Sequence, residues 1–148
     1  MHTPILRKRA PGSPAHILIV NDDRLEAEVM REAIADMEAN AQIDRVADLE
    51  EAMAYLSRGG AYAARPLGNP DLIIGKNYHY NPVGTDLTKA IRENPSLKSI
   101  AVVIFAGAGT AEEILEAYQV GVTACLLPAR DDDEFISNLH GVVTRWLP

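Results

Sequence analysis

The sequence predicts a doubly wound α/β domain built on five parallel strands, and two observations carry that prediction. From about residue 16 onwards, short β-branched runs alternate with segments of helical periodicity. Three of the runs, Ile17-Leu18-Ile19-Val20, Leu72-Ile73-Ile74 and Val102-Val103-Ile104-Phe105, are apolar without interruption. A strand covered on one face alternates apolar with polar residues, whereas a parallel strand covered on both faces does not need to. Parallel neighbours cannot be joined by a tight hairpin, so the intervening helices become right-handed crossovers on the two faces of the sheet.

The predicted strands are His16 to Val20, Gln42 to Ala47, Asp71 to Ile74, Ile100 to Phe105 and Thr123 to Leu127. Between them, Leu25, Val29, Ala33, Ile34 and Met37 recur at helical spacing, as do Leu49, Ala52, Met53 and Leu56, then Leu87, Ala90 and Ile91. Ile114, Leu115 and Tyr118 mark the fourth helix, and Phe135, Leu139, Val142 and Trp146 the fifth. Each set predicts one buried stripe. Asp48 with Glu51, Thr110 with Glu113, and Asp131 with Glu134 place a capping oxygen three residues before a carboxylate, which is a helix start signal. Gly121 is suited to ending the fourth helix. Residues 1–14, with three prolines and the basic run Arg7-Lys8-Arg9, read as a flexible arm before a domain spanning residues 15–148.

Composition narrows the function. A formal charge of -7 disfavours general nucleic-acid binding, because an acidic surface repels phosphate. No apolar run is long enough to cross a bilayer and the N-terminus lacks the apolar stretch of a secretion signal, so a soluble cytoplasmic protein is expected. The single cysteine, Cys125, has no second thiol for a disulfide or a metal site and is expected in a strand. Neither a metal nor another cofactor is expected. Ala106-Gly107-Ala108-Gly109-Thr110 is a glycine-containing turn that lacks the lysine and spacing of a nucleotide loop.

In a doubly wound sheet, chemistry sits at the carboxyl ends of the strands. The residues there resemble the response-regulator receiver family, the flavodoxin-like (CheY-like) (βα)5 domains of two-component signalling. Ile17-Leu18-Ile19-Val20-Asn21-Asp22-Asp23 resembles the first strand and acidic turn, Asn69-Pro70-Asp71-Leu72-Ile73-Ile74 the third strand, and Asn94 to Val103 the approach to the fourth. Arg58-Gly59-Gly60-Ala61-Tyr62 is similar to a stretch in the small stand-alone regulators that partner bacterial phytochrome kinases.

The resemblance implies a phosphoryl-accepting aspartate, acidic Mg²⁺ ligands, a hydroxyl and a lysine. Counted without gaps, this chain has Lys76 at the acceptor position, Asn21 and Asp22 at the acidic pair, Ala106 at the hydroxyl and Pro128 at the lysine. Cys125 falls on the aromatic switch position. Only Asp22 matches. An ammonium cannot form an acyl phosphate, and at about 4 Å it opposes a divalent ion by about 8 kcal/mol before solvent screening. Lys76 either sits beside Asp22 in place of the metal or extends into water.

The resemblance therefore implies a degenerate, phosphorylation-independent receiver that is not an enzyme. It would bind a protein partner, such as a sensor histidine kinase or another receiver. Two alternatives remain open: phosphorylation on a displaced carboxylate (Asp22, Asp23 or Asp71), and small-ligand sensing in the vacated pocket. Tyr78, His79 and Tyr80 after the third strand form a possible contact patch. The band of Phe135, Leu139, Val142 and Trp146, broadened by Ile136 and Val143, is wider than one sheet requires. It suggests a two-fold homodimer through the fourth helix, fifth strand and fifth helix, the face that commonly dimerises in the resembled family.

Overall fold

The computed structural model describes residues 13–66, 68–78 and 80–147. The chain runs β1 (His16–Val20), α1 (Arg24–Met37), β2 (Gln42–Val46), α2 (Leu49–Ser57), a 3₁₀ turn (Gly60–Tyr62), β3 (Leu72–Lys76), α3 (Val83–Glu93), β4 (Ala101–Phe105), α4 (Ala111–Val120), β5 (Ala124–Leu126) and α5 (Asp132–Trp146). All neighbouring strands pair in parallel, in the order β2-β1-β3-β4-β5. Strand order reverses at β1 and β3, so the loops leaving these two strands part to opposite faces and open a crevice between them. Most of the predicted basic arm lies outside the described residues.

The continuous apolar runs are explained by what lies on each face. Leu18, Ile73, Val102 and Ile104 pack with α2, α3 and α4 residues including Leu56, Leu87, Ile91 and Ala117. Ile17, Ile19, Leu72, Ile74 and Val103 pack on the other side with Met30, Ile34, Leu139 and Val142 of α1 and α5. Neighbouring side chains of one strand thus enter two different cores. The predicted caps form as well: Asp48, Thr110 and Asp131 each accept a hydrogen bond from the backbone N–H three residues on. Gly121 ends α4 in the left-handed region at φ 102°.

Two stripes differ from expectation. In α1 the buried residues are Ala27, Met30, Ala33 and Ile34, while Leu25 and Val29 are 82% and 46% exposed. The small Ala27 and Ala33 carry the close approach to the sheet, so the larger residues on the neighbouring side were mistaken for the core face. In α5 the reverse holds. Leu139, Val142 and Val143 are fully enclosed, and Phe135, Ile136 and Trp146 pack against the same core, with the Phe105 and Phe135 rings 5.2 Å apart. The broad band faces both the sheet and α1, which is why it is wider than one seam. Leu139 and Val143 are therefore core residues, and the expectation that they form an interface is corrected.

A polar network closes the opposite end of the sheet. Tyr55 donates its hydroxyl to Asp44 at 2.5 Å, and the Tyr55 oxygen lies 2.5 Å from His16 Nε2. Burial is the largest influence on His16 and holds its pKa below 6.5, with Asp44 opposing that shift. A lowered folded pKa means that the unfolded chain takes up the proton first as pH falls. The stability from neutral His16 is thus complete above pH 6.5 and lost as pH drops through the lower folded value. Urea midpoints measured between pH 7.5 and 5 should fall more steeply for wild type than for His16→Gln; parallel slopes would refute this.

Candidate strand-edge site

The sheet order brings the ends of β1, β3, β4 and β5 together, so Asn21, Lys76, Ala106 and Pro128 line one cleft of about 550 Å³. Asn21 is almost wholly buried, and its side-chain oxygen accepts the Asp23 N–H at 2.9 Å. Its amide donates to Glu26 Oε1 at 2.7 Å. Lys76, the last residue of β3, reaches the same carboxylate, with Nζ 3.1 Å from Oε1 and 3.4 Å from Oε2. The Glu26 carboxylate thus joins Asn21 and Lys76. Asp22 is exposed and lies beside the Tyr78 hydroxyl; the expected Lys76–Asp22 pairing is corrected to Lys76–Glu26. One turn into α1, Glu26 reaches back over the strand edge, a geometry that the gap-free count along the loop could not reveal.

The amide of Asn21 matters to this arrangement. A carboxylate there could not donate to Glu26 and would place a second negative charge beside it. Both side chains of the Lys76–Glu26 pair are about one-third exposed. Solvent discounts such a pair to about 0.5–1 kcal/mol. A double-mutant cycle with Lys76→Met and Glu26→Gln should return a coupling in that range, smaller at high salt; zero coupling at low salt would mean that the pair does not contribute.

The loop after β4 is satisfied by a second internal carboxylate. Glu113 accepts the backbone N–H groups of Gly107 at 2.7 Å, Ala108 at 3.0 Å and Gly109 at 2.8 Å, together with Asn77 Nδ2 at 3.3 Å. Three successive N–H groups converging on one point form an anion nest, here at the start of α4. Gly109, at φ 75°, supplies the left-handed step that turns them inward. At Gly107 a Cβ would lie 2.8 Å from the Asn77 carbonyl oxygen, so only glycine permits this approach of the β4 and β3 loops. Burial pushes the Glu113 pKa up, but the four donors together outweigh it and hold the carboxyl below the ordinary 4.5. Asp48 and Asp131 read as simple caps and are so; Glu113 was read as part of a capping box, yet its side chain reaches past Thr110 into the loop.

Tyr78 turns inward. Its hydroxyl accepts the Asp22 N–H at 3.1 Å, and its ring centroid is 5.8 Å from the Lys76 ammonium. Tyr80 stacks on it at 5.7 Å and stays 80% exposed. Of the expected aromatic patch, Tyr78 therefore braces the site, Tyr80 faces solvent, and His79 lies outside the described residues. Cys125 is half-buried in β5, and burial pushes its thiol up to about 11, which leaves it unreactive at neutral pH.

No protein-family model matches the chain. It is 25% identical over 134 residues to the response regulator Rcp1 of Synechocystis sp., covering 90% of each protein. The phosphorylated cyanobacterial phytochrome response regulator RcpA superposes with a TM-score of 0.81 at 26% identity, over 90% of this chain and 94% of that one. The chain is homologous to Rcp1 and has the fold of these receivers. The chemotaxis receiver CheY4 of Vibrio cholerae has the same fold, with a TM-score of 0.70 at 21% identity, over 91% of this chain and all of that one.

Receivers imply a divalent ion at the acidic turn, and the Mn²⁺-bound form of Rcp1 superposes on this chain with a TM-score of 0.80 at 24% identity, over 90% and 95% of the two chains. The residues present here do not fit such an ion. Asn21 is neutral and turned toward Glu26, and the Lys76 ammonium already neutralises that carboxylate. Among the described residues no three histidine, cysteine or acidic side chains come together as a metal site. No described helix is long and apolar enough to cross a membrane.

Proposed function

We propose that this receiver has given up phosphoryl transfer and acts as a phosphorylation-independent protein-binding module in two-component signalling, with no enzymatic activity of its own. The observation that carries the reading is Lys76 at the acceptor position, its ammonium held by Glu26. An acyl phosphate needs a carboxylate oxygen to attack phosphorus, and an ammonium has no lone pair to offer. Catalysis of this transfer is otherwise positioning and charge stabilisation. Those elements are also replaced, since Ala106 and Pro128 carry neither a hydroxyl nor a cation. Glu113 occupies the loop amides that would attract an incoming anion, which adds to the barrier.

The partner is a sensor histidine kinase, another receiver or a second copy of the chain. Leu115 on α4 and Leu127 just after β5 are 60% and 57% exposed and support the α4-β5-α5 face as the contact, and Phe135 and Trp146 of α5 are only half-buried. In this reading association is constitutive. Sedimentation of the wild type at micromolar concentration should give the same dimer with and without acetyl phosphate, and Leu115→Asp with Leu127→Asp should dissociate it. A monomer would rule out self-association, and a dimer that forms only with the phosphodonor would rule out constitutive assembly.

A further inference from the structure

Along β2, beside the strand-edge site, four arginines gather in a chain whose overall charge is -7. Arg24 and Arg31 of α1, Arg45 of β2 and Arg65 beyond the 3₁₀ turn line one cleft of about 550 Å³, walled by Tyr55 and Tyr62. Asp44 is the one carboxylate in that lining, and it is engaged by the Tyr55 hydroxyl. Glu28 also lies nearby, 3.6 Å from Arg31 Nε.

Three features show that these arginines do more than decorate a surface. Arg65 is nine-tenths buried, donates Nε to the Tyr55 carbonyl at 3.0 Å and Nη1 to the Gly68 carbonyl at 3.0 Å, and stacks 4.2 Å from the Tyr55 ring centroid. Among the described residues its buried Nη2 has no acceptor. Burying such a donor is costly, and an anion in the adjoining cleft would offset part of that cost. Second, Arg24 is the first residue of α1, where the helix dipole disfavours a cation and Glu26 shows the usual preference. Third, Arg45 Nε is fixed by the Asn21 carbonyl at 2.9 Å, and Arg31 Nη1 by the Ile43 carbonyl, which aims both guanidiniums in advance.

We propose that this cleft binds a small phosphate-bearing molecule, with the guanidiniums on its phosphate oxygens and the Tyr62 ring as a side wall. Arginine forks match the spacing of phosphate oxygens and bind them in pairs. Four guanidiniums outnumber Asp44 in the lining and Glu28 and Glu51 at its rim, which suits an anionic ligand. The cleft volume falls in the range of small-molecule sites. An acidic protein segment adding to the β2 edge is disfavoured, because Arg31 covers the outward Ile43 carbonyl that such a strand would need.

Inorganic pyrophosphate is the probe, added to the full chain at ionic strength matched with sodium chloride, with thermal unfolding and calorimetric titration as readouts. A ligand that binds only the folded state raises the melting temperature saturably. The expected result is such a rise, with affinity weakened at least about tenfold by Arg24→Glu and by Arg45→Gln, each removing one charged partner. Arg24→Glu should at the same time raise the melting temperature of the free protein, since it reverses an unfavourable charge at a helix start. No rise beyond the matched chloride control would overturn the proposal, as would equal affinity in both variants. Tighter binding of a glutamate-rich peptide than of pyrophosphate would also overturn it and assign the cleft to an acidic protein segment.

Discussion

Glu113→Ala should destabilise the domain by about 2–3 kcal/mol at pH 7, because it strips one charged acceptor from several donors at once. The N–H groups of Gly107, Ala108 and Gly109 and the amide of Asn77 all end on this carboxylate. Asn77 is almost wholly buried and its side-chain oxygen also receives the Thr85 N–H, so the loss propagates to the start of α3. Water can replace part of what is lost at the half-exposed loop, which keeps the effect within that range. The sign with pH follows from the lowered Glu113 pKa. The stability it supplies is complete above 4.5 and lost as pH falls through the lower folded value. Chemical denaturation of wild type and Glu113→Gln should therefore give a gap that is widest near neutrality and closes in acid. A gap independent of pH would show that the ionised carboxylate is not what holds the loop.

Lys76→Asp should have the second large effect, and it should be a loss rather than a rescue. The ammonium that neutralises Glu26 at 3.1 Å would be replaced by a shorter side chain carrying a like charge. Two unit charges about 6 Å apart repel by about 3 kcal/mol at an effective dielectric of 20, and partial exposure together with the lost ion pair gives a loss of about 1–3 kcal/mol in metal-free buffer. Labelling by acetyl phosphate with Mg²⁺ should stay at trace level, since Asn21, Ala106 and Pro128 still supply neither ligand, hydroxyl nor cation. Urea titration and intact mass of the same variant read both outcomes. Unchanged stability would contradict the Lys76–Glu26 pairing, and stoichiometric labelling would show that the remaining substitutions do not prevent transfer.

The fold was legible because its strongest signals are local. Continuous apolar strands, capping residues and Gly121 each state their structure within a few positions, and the five strands fall within two residues of where they were expected. The strand-edge residues were legible too, because a gap-free count from Pro70 to Gly84 fixes which residue ends β3. What stayed hidden depends on where long side chains reach. Glu26 and Glu113 lie on helices and read as ordinary surface or capping carboxylates, yet each turns back to a loop. Leu25 and Val29 look like core by spacing, while the alanines that allow helix and sheet to approach carry little hydrophobic signal. The α5 band was visible, but its two partners, the sheet and α1, are set by the whole topology. The arginine cleft draws on α1, β2 and the segment after the 3₁₀ turn, which no sequence window spans.

Acceptance of a phosphoryl group is what separates a working receiver from a constitutive binding module. Intact-mass spectrometry of the wild-type chain after incubation with acetyl phosphate and Mg²⁺ is the direct measurement, since each transfer adds about 80 Da and two negative charges. The structure, with Lys76 bound to Glu26 and the loop amides bound to Glu113, predicts an unchanged mass. Stoichiometric addition of that mass, on Asp22, Asp23 or any other carboxylate, would contradict it.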